Sequence, residues 1–167
     1  MGRLNLNIQG YNNALDTITI NGKACKVIRN RREKTTSVSM DVEGDVAHVI
    51  IYKPHAYVGK HWLLWSLIYF IVSIFGVFDT RYHKRNLIVD CRFDVITYGE
   101  DTNVNATVLT YRDKEPFLKI ESDASITEIA NTMYCDLEAK KKAKIAKRAK
   151  IFVFLAVVAI IAAIVLL

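Results

Sequence analysis

From residue 4 to residue 52 apolar and polar positions alternate with a period of two, the pattern of strands that bury one face. LNLNI alternates without a break, and TITINGKACKVI holds Asn21-Gly22 between two strand-like runs. Asn-Gly adopts the positive-φ backbone of a type I′ turn at little cost, so this stretch predicts a hairpin. SVSMDV and VAHVIIY flank a second tight turn, Glu43-Gly44-Asp45. After an interruption the same pattern resumes: NLIVDCRFDVITY, a GEDTN turn, NATVLTY as the return strand, and FLKI beyond Pro116. About five strands before the interruption and about three after it predict an antiparallel β-sandwich.

The interruption is HWLLWSLIYFIVSIFGVF, residues 61–78, which contains no Asp, Glu, Lys or Arg. As a helix it is apolar on nearly every side, and a sandwich core has no room for such an element. A bilayer has. His61, Trp62, Trp65 and Tyr69 crowd its first half, where amphipathic rings favour the headgroup level. Ser66, Ser73 and Gly76 share one helical face, which predicts close packing on another helix or a face turned to the interface. The segment either spans the membrane or is embedded in one side of it. Each β half has fewer than about 60 residues and buries too little surface alone, so the halves are expected to pair on one side. Embedding is therefore the preferred placement, although Arg81, Lys84 and Arg85 after the segment suit a crossing.

At Ser125 the pattern changes. Ser125-Ile126-Thr127-Glu128 reads as a capping box, and Ile126, Ile129, Ala130, Met133 and Leu137 recur at helical spacing. One continuous helix is expected from residue 125 to the end. The chain thus divides into 1–60 and 79–124 as the two parts of the sandwich and 61–78 as the membrane-embedded segment. Beyond them lie an amphipathic, then Lys-rich helix over 125–150 and an apolar helix over 151–167.

Charge sharpens this picture. Lys and Arg number 23 against 17 Asp and Glu, a net charge of +6. Much of the excess sits in Lys140, Lys141, Lys142, Lys144, Lys147, Arg148 and Lys150, directly before IFVFLAVVAIIAAIVLL. An apolar helix of that length spans about 26 Å, close to the ~30 Å hydrocarbon core, and long cationic side chains can reach back to the interface. The expected topology is a transmembrane tail anchor, with the polybasic collar in the cytoplasm touching anionic lipid headgroups. Ala156, Ala159 and Ala163 form a small-residue face for helix packing. MGRLNLNIQG is polar and alternating, so no secretory leader is expected, and Leu6 does not suit N-terminal acylation.

The residues suggest little chemistry. Cys25, Cys91 and Cys135 are odd in number and far apart, which fits a reducing compartment and neither a disulfide framework nor a zinc site. His48, His55, His61 and His83 fall in no ligand or catalytic spacing, and no nucleophile elbow or phosphate loop is present. No catalytic, cofactor-binding or metal-binding residue is expected. RNRRE lacks interleaved aromatic residues, so nucleic acid is disfavoured as a partner. Asn105-Ala106-Thr107 matches a glycosylation sequon but opens a strand placed in the cytoplasm, so it is read as coincidence. The sequence reads as a non-enzymatic membrane-anchored β-sandwich, a binding or scaffold module at the cytoplasmic face of the cell membrane. Its expected partners are anionic lipids and either a second copy or an integral membrane protein. A two-pass accessory subunit of a transporter and a membrane-perturbing oligomer are the competing readings.

Overall fold

The computed structural model describes residues 2–10, 17–30, 32–55, 57–74, 87–109 and 116–166. Gly76, Arg81, His83, Lys84 and Arg85 lie outside these residues. In chain order the elements are β1 (Gly2–Gln9), β2 (Thr17–Ile20), β3 (Lys23–Ala24), β4 (Ile28–Asn30), β5 (Thr35–Val42) and β6 (Val46–Lys53). Then come α1 (Trp62–Ile74), β7 (Ile88–Ile96), β8 (Thr102–Val108), β9 (Leu118–Ser122), β10 (Ile126–Tyr134) and α2 (Leu137–Leu166). Two compact units result: Met1–Pro54 with Ile88–Tyr134 carries the strands, and His55–Leu87 with Cys135–Leu167 carries the helices.

The strand unit holds two five-stranded sheets, ordered β4-β5-β1-β8-β9 and β10-β7-β6-β2-β3. Alternation along each strand decides its faces. Leu4, Leu6 and Ile8 of β1 are buried while Arg3, Asn5 and Asn7 point outward, and Ala47, Val49 and Ile51 of β6 are buried between exposed neighbours. Each sheet thus carries one apolar face, and within a single compact unit two such faces are buried by stacking on each other. Phe93 and Phe117 are the largest fully buried side chains there.

Both sheets draw strands from both sides of the apolar segment. β1 pairs with β8 from Leu4↔Thr102 to Gln9↔Thr107, and β6 pairs with β7 from Val46↔Ile96 to Lys53↔Val89. A membrane passing between residues 54 and 88 would part β6 from β7 and β1 from β8, and neither sheet would survive. The pairing also corrects a detail: β1 and β8 run parallel, so the first sheet is mixed rather than purely antiparallel.

The Asn21-Gly22 turn joins β2 to β3 with φ of 51° and 74°, as a type I′ turn requires. The other two predicted turns are not hairpins. Glu43-Gly44-Asp45 carries the chain from β5 in one sheet to β6 in the other, and the turn after β7 leads to β8 in the opposite sheet. Gly2 is buried against this second corner, and a Cβ there would collide with the Glu100 carbonyl. Packing therefore accounts for a glycine at position 2.

The largest correction concerns residues 125–134. They form no helix: β10 pairs antiparallel with β7 from Ile126↔Val95 to Tyr134↔Ile88, with a bulge between Glu128 and Ala130. The Ser125 carbonyl accepts a hydrogen bond from Ile96 N at 3.0 Å instead of opening a capping box. Helix α2 starts only at Leu137. The C-terminal helix is thus present but shorter than expected. Among the described residues, no helix is long and apolar enough to cross a membrane, so the transmembrane tail anchor expected over 151–167 is not supported.

Candidate membrane-contacting site

Two cationic side chains of α2 tie the helical unit together. Asp136 caps α2: its Oδ1 accepts from Ala139 N at 2.5 Å and its carbonyl accepts from Lys140 N at 3.0 Å. One turn on, Lys142 Nζ donates to the Tyr57 carbonyl at 3.0 Å, pairs with Glu138 at i−4, and lies 5.8 Å from the centre of the Trp62 ring. Tyr57 in turn stacks edge-on against Trp62 at 5.7 Å. Two turns further along α2, Lys150 Nζ sits 6.0 Å from the centre of the Phe70 ring.

These two contacts fix how the helices run. Trp62 meets Lys142 and Phe70 meets Lys150, so α1 and α2 are parallel and residues 62–70 lie alongside residues 142–150. The same offset brings Ser66 opposite Ala146, and both are buried, at 5% and 1% exposure. Ala139 is fully buried on the same side of α2. Small residues in the seam let the helix backbones approach closely. Ser66 Oγ is buried there without a hydrogen-bond partner.

The predicted site residues separate into two groups. Lys140, Lys141, Lys144, Lys147 and Arg148 are exposed. Lys142 is turned inward with 22% side-chain exposure, and Lys150 is half-buried over Phe70, so both hold the helix pair together. Of the interface residues, His61, Trp65 and Tyr69 are exposed, with the Trp65 and Tyr69 rings 6.3 Å apart, and Trp62 is half-buried in the clamp. Ser66 is buried in the helical unit, as are Ala139 and Ala146 of α2, whereas Ala156, Ala159 and Ala163 are exposed. The seam lies nearer the start of α2 because α1 accompanies the cationic stretch and not the apolar one. The Ser73 side chain and Gly76 lie outside the described residues. Sequence reasoning missed the clamp formed by Tyr57, Glu138 and Lys142; the i,i+4 spacing of Glu138 and Lys142 was the one signal for it.

Around this frame the outer surface is apolar to an unusual degree. Leu64, Trp65, Ile68 and Ile71 of α1 are 38–56% exposed. On α2, Phe152, Phe154, Leu155 and Ile164 are 54–76% exposed.

The clamp titrates. Its hydrogen bond to Lys142, then the charge of that ammonium, hold the Glu138 carboxyl below the usual carboxylate range. A carboxyl whose pKa is lower folded than unfolded contributes above its unfolded pKa, and that contribution is lost as pH falls through the folded value. Tryptophan emission from Trp62, beside Lys142, is therefore expected to change in an acid step below the ordinary carboxylate range. Glu138→Gln should abolish that step while leaving neutral-pH emission intact. An identical step in the variant would show that another group governs the clamp.

In the strand unit His48 Nδ1 lies 2.7 Å from Asp94 Oδ1 on an exposed cross-strand pair, an ordinary surface contact. Among the described residues no cluster of three or more His, Cys, Asp or Glu is placed to hold a metal ion. Comparison with protein-family models, curated proteins and solved structures finds no match to this chain.

Proposed function

We propose that this protein is a membrane-anchored β-sandwich that acts as a binding or scaffold module at the cytoplasmic face of the cell membrane. The carrying observation is the helical unit, where exposed large apolar side chains stand beside the five exposed cations of α2. An aqueous surface of that kind is costly at roughly 25 cal/mol per Å² of apolar area, and an anionic leaflet covers both components. The interleaved sheets favour this one-sided arrangement over a two-pass subunit with its β halves on opposite sides.

The binding surface on this reading is the outer face of the β10-β7-β6-β2-β3 sheet. There Ile50, Tyr52 and Tyr134 are 37–42% exposed around Arg92, whose guanidinium forks onto Asp90 at 2.8 and 2.7 Å. Tyrosine and arginine are enriched at protein interfaces. The outer face of the other sheet instead ties its polar side chains to one another, with Ser39 Oγ donating to Asn5 Oδ1 at 2.8 Å and Asn5 Nδ2 to Asn103 Oδ1 at 3.2 Å.

The test is sidedness in cells. Cys25 and Cys135 are replaced by Ser; Cys91 stays, because burial pushes its thiol up to about 12 and keeps it unreactive. Gly44→Cys then places a thiol in the exposed corner between β5 and β6. The protein should remain in the membrane pellet through a high-salt wash and react with an impermeant maleimide only after permeabilisation. Recovery in the soluble fraction would end the membrane reading, and labelling of intact cells would end the cytoplasmic one.

A further inference from the structure

We propose that α1 and the cationic stretch of α2 form an amphipathic pair lying in the plane of one leaflet, with α1 among the acyl chains and the α2 cations at the phosphates of anionic lipids. This rests on the membrane reading above and adds the orientation and the lipid contact. The two helices turn opposite faces outward. On α1, Leu64 and Ile68 lie about 160° around the helix from Ser66 in the seam. On α2, Lys144 and Arg148 lie about 160° from Ala146, with Lys140 and Lys147 close by. One side of the pair is thus greasy and the other cationic.

The parallel register excludes an upright placement of this pair. Were α2 to enter along the bilayer normal, with residue 151 at the hydrocarbon boundary, residues 62–70 would stand beside residues 142–150 among the headgroups. Leu64, Trp65 and Ile68 would then face water and phosphate. Laid flat, the same pair puts both faces where each is stable. Packed helix axes are about 8–10 Å apart, so the α1 outer face and the α2 cations differ in depth by more than ~10 Å. An anionic leaflet covers the greasy face of α1 and attracts the cation row at the same time, whereas a second copy docked on α1 would cover only the greasy face.

Depth measurements on the full-length protein test this. Trp62→Phe leaves Trp65 as the single reporter, and the protein is bound to phosphatidylcholine vesicles containing one quarter phosphatidylglycerol and acyl chains brominated at defined carbons. In parallel, Lys144→Cys on the Cys25→Ser, Cys135→Ser background reports access from water. Bromine in the upper half of the acyl chain should quench Trp65 at least threefold more than aqueous iodide does. The thiol introduced by Lys144→Cys should meanwhile react with an impermeant reagent as fast as an exposed residue. Trp65 and position 144 at one depth would mean an upright pair and would overturn the proposal. So would vesicle-bound protein whose Trp65 escapes lipid quenching and which cross-links as a dimer, because a second copy would then cover α1. Failure to bind these vesicles would instead reject the membrane reading itself.

Discussion

Replacing residues 54–88 by Asn-Gly is expected to give a sandwich that folds cooperatively and stays soluble without detergent. The reason lies in the register between β6 and β7. Lys53 and Val89 are directly paired, so the chain leaves the sheet and returns to it at adjacent positions. A two-residue type I′ turn closes such a pair. Every strand of both sheets is retained, β7 shortened only by Ile88, and the buried Val49, Ile51, Cys91 and Phe93 keep their places. Ending the chain at Tyr134 removes α2 as well, and with it the exposed apolar side chains of the helical unit. The measurement is urea unfolding followed by circular dichroism, alongside vesicle sedimentation. A single cooperative transition with no vesicle binding is expected. Residues 1–60 alone should show no transition, because β1 and β6 would lose β8 and β7. A cooperative transition in that fragment, or none in the turn-closed sandwich, would disprove the division of labour between strands and helices.

Local pattern made much of this architecture legible. Alternation in LNLNI and VAHVIIY marks the buried faces of β1 and β6, and Asn21-Gly22 marks its hairpin, because each signal is written within a few residues. Partner choice is not local. Nothing near residue 4 announces a parallel neighbour at residue 102, and a tight turn looks the same whether it closes a hairpin or turns a corner between sheets. β10 failed for a related reason. Its bulge between Glu128 and Ala130 breaks the period of two, and the remaining spacing of Ile126, Ile129, Ala130 and Met133 imitates a helix. Pairing with β7 overrides that pattern. The cationic collar was visible as composition. Which of its lysines turn inward was not, since Lys141 and Lys142 are chemically alike and only the position of α1 distinguishes them.

Asn131→Leu should remove about 3–5 kcal/mol from a sandwich whose whole stability is on the order of 5–15 kcal/mol. Asn131 reaches from β10 in one sheet to β9 in the other. Its Oδ1 accepts from Leu118 N at 2.8 Å and Phe117 N at 3.1 Å, and its Nδ2 donates to the Leu118 carbonyl at 2.7 Å and to Glu128 Oε2 at 3.0 Å. Phe117 N keeps a second acceptor in the Asn131 carbonyl at 3.0 Å, which leucine would preserve. The Leu118 N–H and C=O lose their side-chain partner, and Leu118 is 1% exposed. Each stranded polar group costs about 1–3 kcal/mol. Leucine has the same branching and heavy-atom count and leaves no cavity, so the loss does not report missing volume. Amide hydrogen exchange at Leu118 should accelerate with the fall in urea midpoint. Asn131→Asp keeps the acceptor but gives up the donor and sets a second carboxylate beside Glu128. Its carboxyl would titrate higher folded than unfolded, so its penalty should ease as pH falls, whereas the leucine penalty should not. If both variants unfold at the native midpoint, Asn131 is no bridge between the sheets, and their union rests on apolar contact alone.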